Sequence, residues 1–282
     1  MSKNQDVSKY TRVQLADMIL ARLDDATVAA AAAQFRSAGE QAWFSIDNLL
    51  PDEVAHDIYN AFPSPDTMRE RKTLREHKYV AAQMNRYPAL GEEALFAFHD
   101  SRVVERVSQI TEMTALHADP YLYAGGLSLM GRGNFLNPHL DNSHNNDRSL
   151  YRVLNLLHYV SPEWTQENGG NLELWPVGLK GAPLTIVSHF NRLVVMTTGP
   201  GSWHSVSAVK TDRPRCCVSN YYFSRNPVGG QEYFRVTQFR GRPEQPFRDL
   251  ILRADATLRQ AVRLFKPKGI AQTSHIYDRE KA

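Results

Sequence analysis

The hydrophobic period of this 282-residue chain changes near residue 115, and that change restricts its architecture more than any other feature. Ahead of it, apolar residues recur every three or four positions. Beyond it they alternate. Residues 121–130, 151–160, 171–175, 192–197, 202–209 and 215–223 all read as strands. Gly131-Arg132-Gly133-Asn134, Asn168-Gly169-Gly170 and Thr198-Gly199-Pro200-Gly201 punctuate them. Short strands separated by such turns imply a barrel or a double-sheet jelly roll.

Helical signals flank this core. Residues 11–35 read as one helix, with Leu15, Met18, Ile19 and Leu23 at helical spacing and a helix-favouring run from Ala29 to Ala33. Residues 42–46 read as a strand, 47–53 as a turn opening a helix to about 61, and 91–114 as helical. From 246 to 264 the helical period returns through Leu250, Ile251, Ala254, Leu258, Ala261 and Val262. The expected fold is mainly β with flanking α: a jelly-roll core supported by N- and C-terminal helices. One domain is expected over 1–282, with a mostly helical part at 1–114, a core at 115–230 and a helical tail at 231–282. Residues 64–90 read as irregular. Arg69, Arg71, Lys72, Arg75 and Lys78 face only Glu70 and Glu76 there. That stretch is either a solvated loop or a basic lid over an anionic substrate.

A 42% hydrophobic, 22% charged composition suits one large soluble domain. No apolar run approaches membrane-spanning length, and no secretory leader opens the chain. The polar segment 1–6 is expected to fray. Cys216 and Cys217 are adjacent, which rules out a disulfide framework and makes a reducing cytoplasm the expected location. A net charge of +3 makes no case for nucleic acid. A small-molecule partner is expected, and nothing in the sequence specifies an oligomeric state.

The chemistry concentrates in His139-Leu140-Asp141, with His204 and Arg215 further on. A His-x-Asp alone says little, since Asp follows a given His at that spacing about one time in twenty on ordinary composition. A second copy exists at His117-Ala118-Asp119, but Asp119 precedes Pro120 and belongs to a turn. In a strand, residues i and i+2 share a face, so His139 and Asp141 can converge on one ion. His204 follows a glycine-proline turn and an apolar strand, far enough along for intervening strands to bring it back. His158 and His189 are the other candidates. Two imidazoles and one carboxylate form the facial set of non-haem Fe(II) sites. Arg215 opens an otherwise apolar strand, and a buried guanidinium needs an anionic partner. Its planar fork suits a carboxylate. Cys217 and Ser219 share its face, and Arg213 competes for the role.

Together these residues resemble the Fe(II)/2-oxoglutarate-dependent dioxygenases, within them the prolyl-4-hydroxylase-like branch. The resemblance runs over about 121–224: Gly133, His139-Leu140-Asp141, the strand 152–157, the turn Asn168-Gly169-Gly170, then His204 and Arg215. The segment 44–51 looks like the entry to the same fold. The resemblance implies a double-stranded β-helix. It implies His139, Asp141 and His204 as Fe(II) ligands, and Arg215 on the distal carboxylate of 2-oxoglutarate, which is consumed with O2 to give succinate and CO2. In that branch tyrosines often stand at positions matching Met130 and Leu136, both apolar here, so Asn155 is a candidate to contribute a co-substrate hydrogen bond. Because Asp141 is present, hydroxylation is favoured over halogenation. Trp164, Trp175 and Trp203 are placed near the mouth, and the polar run 142–147 is a candidate substrate loop. The expected activity is hydroxylation of a small polar or anionic metabolite or biosynthetic intermediate. Peptidyl (prolyl-type) hydroxylation, a non-catalytic jelly-roll binding module and a zinc hydrolase are the alternatives.

Overall fold

The computed structural model describes residues 7–265 and 276–278, so the segment 1–6 lies outside the described residues. Five helices come first or among the first strands: α1 (Arg12–Arg22), α2 (Asp25–Ser37), α3 (Asp52–Asn60), α4 (Ala89–Ala97) and α5 (Ser101–Thr111). The strands are β1 (Trp43–Ile46), β2 (Arg69–Lys72), β3 (Glu76–Ala81), β4 (His117–Ala118), β5 (Gly126–Met130), β6 (Phe135–Leu140) and β7 (Tyr151–Tyr159). They continue with β8 (Leu172–Leu174), β9 (Leu184–Ile186), β10 (Arg192–Thr197), β11 (His204–Val206), β12 (Arg215–Ser224) and β13 (Gln238–Phe239), before α6 (Pro246–Phe265).

All pairings are antiparallel, in the order β1-β10-β7-β12-β5-β3-β6-β11-β8-β9. The strand β3 joins the two halves. Its residues Tyr79–Ala81 pair with β5, while Glu76 and His77 pair with β6. The sheet therefore folds over on itself into the expected jelly roll. Helices α1 to α5 pack their apolar faces on the outside of the larger half. There Leu15, Ile19, Phe35, Val107 and Ile110 share one core with Leu154, Leu156, Val195 and Val218.

Three local expectations need correction. The helix expected over 11–35 is two helices. Asp24 accepts a hydrogen bond from the Thr27 amide and caps α2, and this cap outweighs the helical period running through Leu23. Residues 64–90 are not irregular: β2 and β3 form a hairpin, with Arg71 opposite Lys78, built into the sheet. Its charged pattern gives no apolar alternation because its inner face borders a cavity rich in charged side chains. The strand expected from 121 begins at Gly126, because 119–122 is a turn in which the Asp119 carboxylate accepts from the Tyr121 amide.

Candidate metal centre

The pairing of β6 with β11 sets His139 directly across from His204, although 65 positions separate them in sequence. Asp141 follows two residues after His139, just beyond the end of β6. All three side chains are buried, and one donor atom from each lies within 4.8 Å of the others. Among the described residues, no other group of three His, Cys, Asp or Glu comes together this way. His117 and Asp119 are not part of it. His158 bonds to Asn191 and His189 to the Trp164 carbonyl, so neither contributes.

The surroundings fix the tautomers. His139 Nδ1 lies 3.0 Å from the Asn137 carbonyl oxygen and His204 Nδ1 2.9 Å from that of Ser202. Each Nδ1–H donates there, which leaves both Nε2 lone pairs bare. Those Nε2 atoms stand 3.7 and 3.8 Å from the two Asp141 oxygens. These gaps are too long for hydrogen bonds and short enough for the donors to meet on one cation. Phe239 stacks on the His139 ring at 5.0 Å. Burial depresses His139 to about 3, helped by the neighbouring His204, and burial also lowers His204. Burial opposes ionisation of Asp141, but Arg152 and the two histidines outweigh it and hold the carboxyl down at about 2. The donor set is thus two neutral imidazoles and one carboxylate. The buried Asp141 Oδ2 has no hydrogen-bond partner, so the residues fit a divalent metal.

These groups open into a cavity of about 860 Å³, which Arg215, Ser219 and Asn155 also line. Arg215 is buried, with Nε donating to Ser188 Oγ at 3.2 Å, one Nη 3.8 Å from Met130 Sδ, and its guanidinium over the Tyr159 ring at 4.6 Å. None of these partners is anionic, so the charge lacks a counter-ion of the kind burial demands. Ser188 in turn donates to the Gly170 carbonyl. Gly170 has φ +62°, and a Cβ there would lie 2.9 Å from Arg215 Cδ, so this glycine clears the path of the arginine. Arg213 instead points outward to Glu163 and the Pro162 carbonyl. Asn155 Nδ2 donates to Tyr221 Oη at 3.3 Å, while its buried Oδ1 has no partner. Burial, with Asp141 beside it, raises Tyr221 and keeps that phenol protonated.

Two arginines beside Asp141 escaped sequence reasoning. Strict alternation would put Arg152 on the outer face of β7 with Leu154 and Leu156. Val153 is an extra residue between the pairs Tyr222–Leu154 and Phe223–Arg152, and this bulge turns Arg152 inward. Its Nη1 lies 3.6 Å from Asp141 Oδ1 and its guanidinium 4.3 Å from the Tyr221 ring centre. Arg235, from the stretch before β13, donates to the Asp141, Gly199 and Pro200 carbonyls and ties the ligand loop to the turn before His204. Trp164 and Trp175 are buried and donate to Gly169 O and Ser205 Oγ, and Trp203 borders a separate groove beside α6. None of the three stands at the mouth of the cavity. Asn142, His144, Asn145 and Asn146 of the 142–147 run do line it.

Residues 125–223, which hold every one of the three donors and Arg215, match the model of the 2OG-Fe(II) oxygenase superfamily. The match fits the expected superfamily over the stretch of the chain that carries the site. A 69-residue stretch is 35% identical to Prolyl 3-hydroxylase OGFOD1 of Xenopus laevis, covering 23% of this chain and 14% of that protein. The chain thus spans a minor part of that relative's length. In fold it is similar to a prolyl-4-hydroxylase of Pseudomonas putida, with TM-score 0.52, 16% identity, and coverage of 70% of this chain and 100% of that one. It is also similar to a 2OG-Fe(II) oxygenase family oxidoreductase of Burkholderia pseudomallei, with TM-score 0.51, 17% identity, and coverage of 74% and 96%. Both likenesses bear out the jelly-roll fold. The cofactors of the superfamily, Fe(II) and 2-oxoglutarate, are those the donor set and the buried arginine fit.

Proposed function

We propose that this protein is a Fe(II)- and 2-oxoglutarate-dependent hydroxylase in which residues 1–282 act as one oxygenase domain. His139, Asp141 and His204 would hold the iron, and Arg215 would bind the distal carboxylate of the ketoacid. The observation that carries this reading is the buried, converging set of three donors, with Asp141 Oδ2 unpartnered, and a counter-ion-free arginine in the same cavity. Iron with the ketoacid would supply the oxidising equivalents from O2, with release of succinate and CO2. The chain does the rest. Arg215, held in place by Ser188, would orient the ketoacid. Ser219 would offer a hydroxyl donor along its length, and Asn155 could add its Nδ2, now given to Tyr221 Oη, where Met130 and Leu136 offer none. Arg152 and Arg235 fix Asp141 from its side chain and its backbone. The substrate is a small polar or anionic metabolite or biosynthetic intermediate. A cytoplasmic location agrees with two buried free thiols.

Peptidyl prolyl hydroxylation is the second reading, favoured by the local identity to a prolyl 3-hydroxylase. Anaerobic addition of Fe(II) and then 2-oxoglutarate to the apo protein tests the site. A visible charge-transfer band that needs both additions and is lost in His204→Ala is expected. A folded protein without the band would return the site to the zinc-hydrolase or binding-module readings. Succinate release with a prolyl peptide, absent with small anions, would favour the second reading.

A further inference from the structure

Charge is distributed very unevenly over this molecule. Ten basic side chains and two carboxylates, Glu76 and Asp141, line the cavity. Among the described residues outside the cavity, acidic side chains outnumber basic ones. Arg75 and Arg259 pair with Asp255 just outside the lining, and the remaining basic side chains still give a positive cavity in a body whose described residues are net acidic. The acids inside are already engaged. Glu76 lies 3.0 Å from Lys78 and 3.7 Å from Arg71, and Asp141 belongs to the metal ligands. An iron dication and a ketoacid dianion cancel, so loading the site leaves this excess untouched. Arg215 takes the ketoacid, but Arg152 loses ground: the carboxylate beside it in the cavity, Asp141, would face the metal, and its buried Nε has no hydrogen-bond partner among the described residues. Positively charged low-dielectric walls concentrate anions, and 860 Å³ is the size of a small-molecule site.

We propose that the substrate is a small polyanion, bearing two or more carboxylate or phosphate charges. One charge would meet Arg152 beside the metal centre, and another Arg71 and Arg86 at the rim. This inference rests on the oxygenase reading and narrows its substrate. The β2–β3 hairpin is then a fixed basic wall of the site, because its strands are paired into the sheet. Tyr123, Tyr221 and Phe234 also line the cavity and would flank the uncharged body of the substrate.

The test is calorimetric, on the full chain loaded with Mn(II) in place of iron. Titration of 2-oxoglutarate comes first, and its failure would count against the oxygenase reading alone. Tricarballylate and fructose 1,6-bisphosphate are then titrated as carboxylate and phosphate probes, with the ketoacid bound or, should it not bind, without it. Saturable one-to-one binding of either probe is expected. It should weaken at least tenfold in the rim double variant Arg71→Gln/Arg86→Gln and in Arg152→Gln, and weaken again with added salt. The probe that binds tells carboxylate from phosphate. Absence of binding by both probes, undiminished binding in the folded rim variant, or binding only by displacement of 2-oxoglutarate would each overturn the proposal.

Discussion

Asp141, Arg215 and Gly170 each bear on what the metal centre can do, and they fail in different ways. Asp141→Ala removes the only anionic donor and should abolish succinate release. It also strips Arg152 of its acidic neighbour, so some stability should be lost with the activity. Asp141→Asn preserves the shape while removing the charge, and it should be as inactive. Full turnover in either variant would sink the ligand assignment. Arg215→Ala deletes a charge-assisted contact worth about 1.5–3 kcal/mol, which corresponds to roughly a 10- to 150-fold rise in the 2-oxoglutarate requirement. Arg213→Ala, whose side chain pairs with Glu163 at the surface, should leave that requirement unchanged. If the two variants behaved in the opposite way, the co-substrate would be held elsewhere. Gly170→Ala probes the same contact indirectly, since its Cβ would press on Arg215 Cδ. The ketoacid requirement should rise while metal affinity, read by titration, stays constant. The triad was legible because its members obey strand parity and chain order. Arg152 was not, because one inserted residue reverses the parity of everything before it on β7.

At the level of elements, legibility followed hydrophobicity. The strands β7, β10 and β12 are almost continuously buried, and their apolar runs announced them. The hairpin β2–β3 was missed because its residues are charged, and its strand character comes from pairing with β5 and β6 rather than from an apolar face. The break between α1 and α2 is visible in hindsight as Asp24, an N-cap residue placed three positions before Thr27. The short strands β4, β9 and β13 carry too few residues for a period to register. Where the hairpin docks, one position is decisive. Gly126 sits at φ +134°, and a Cβ there would come within 2.3 Å of the Ala81 carbonyl oxygen at the end of β3. Gly126→Ala should therefore push β3 off β5 and open the wall that carries Lys78 and Arg71. A loss of about 2 kcal/mol or more is expected, from backbone strain and the broken ladder. Hydrogen exchange should locate the lost protection in residues 76–81. Wild-type protection there, with normal stability, would mean that the junction between the two halves of the sheet is not built on this glycine.

Across the whole molecule, histidines link folding to pH. Burial depresses His99 and His158 to about 4 each and His139 to about 3, from an ordinary value of 6.5. A group whose folded pKa lies below its unfolded one takes up its proton on unfolding. Each of these histidines therefore contributes nothing above about pH 6.5 and destabilises the fold as pH falls below it. The slope approaches about 1.4 kcal/mol per pH unit for each group until its folded pKa is reached. Asp141 acts in the same direction but lower down, since the stability from its depressed pKa is lost only as pH falls from 3.8 towards about 2. Against a typical total of about 5–15 kcal/mol, three such histidines suffice to bring acid unfolding up towards pH 4–5. The metal-free protein should thus show a clearly lower urea midpoint at pH 5.5 than at pH 7.5, with an unchanged denaturant slope. His99 offers a clean check, because it lies outside the metal centre and bonds to Asn220 Oδ1. A glutamine there can still donate to Asn220 but cannot titrate. His99→Gln should lose a share of the pH dependence while keeping the metal and ketoacid titrations intact. Equal midpoints at the two pH values would mean that these imidazoles are hydrated in the native state, and the neutral-donor account of the metal centre would fall with them.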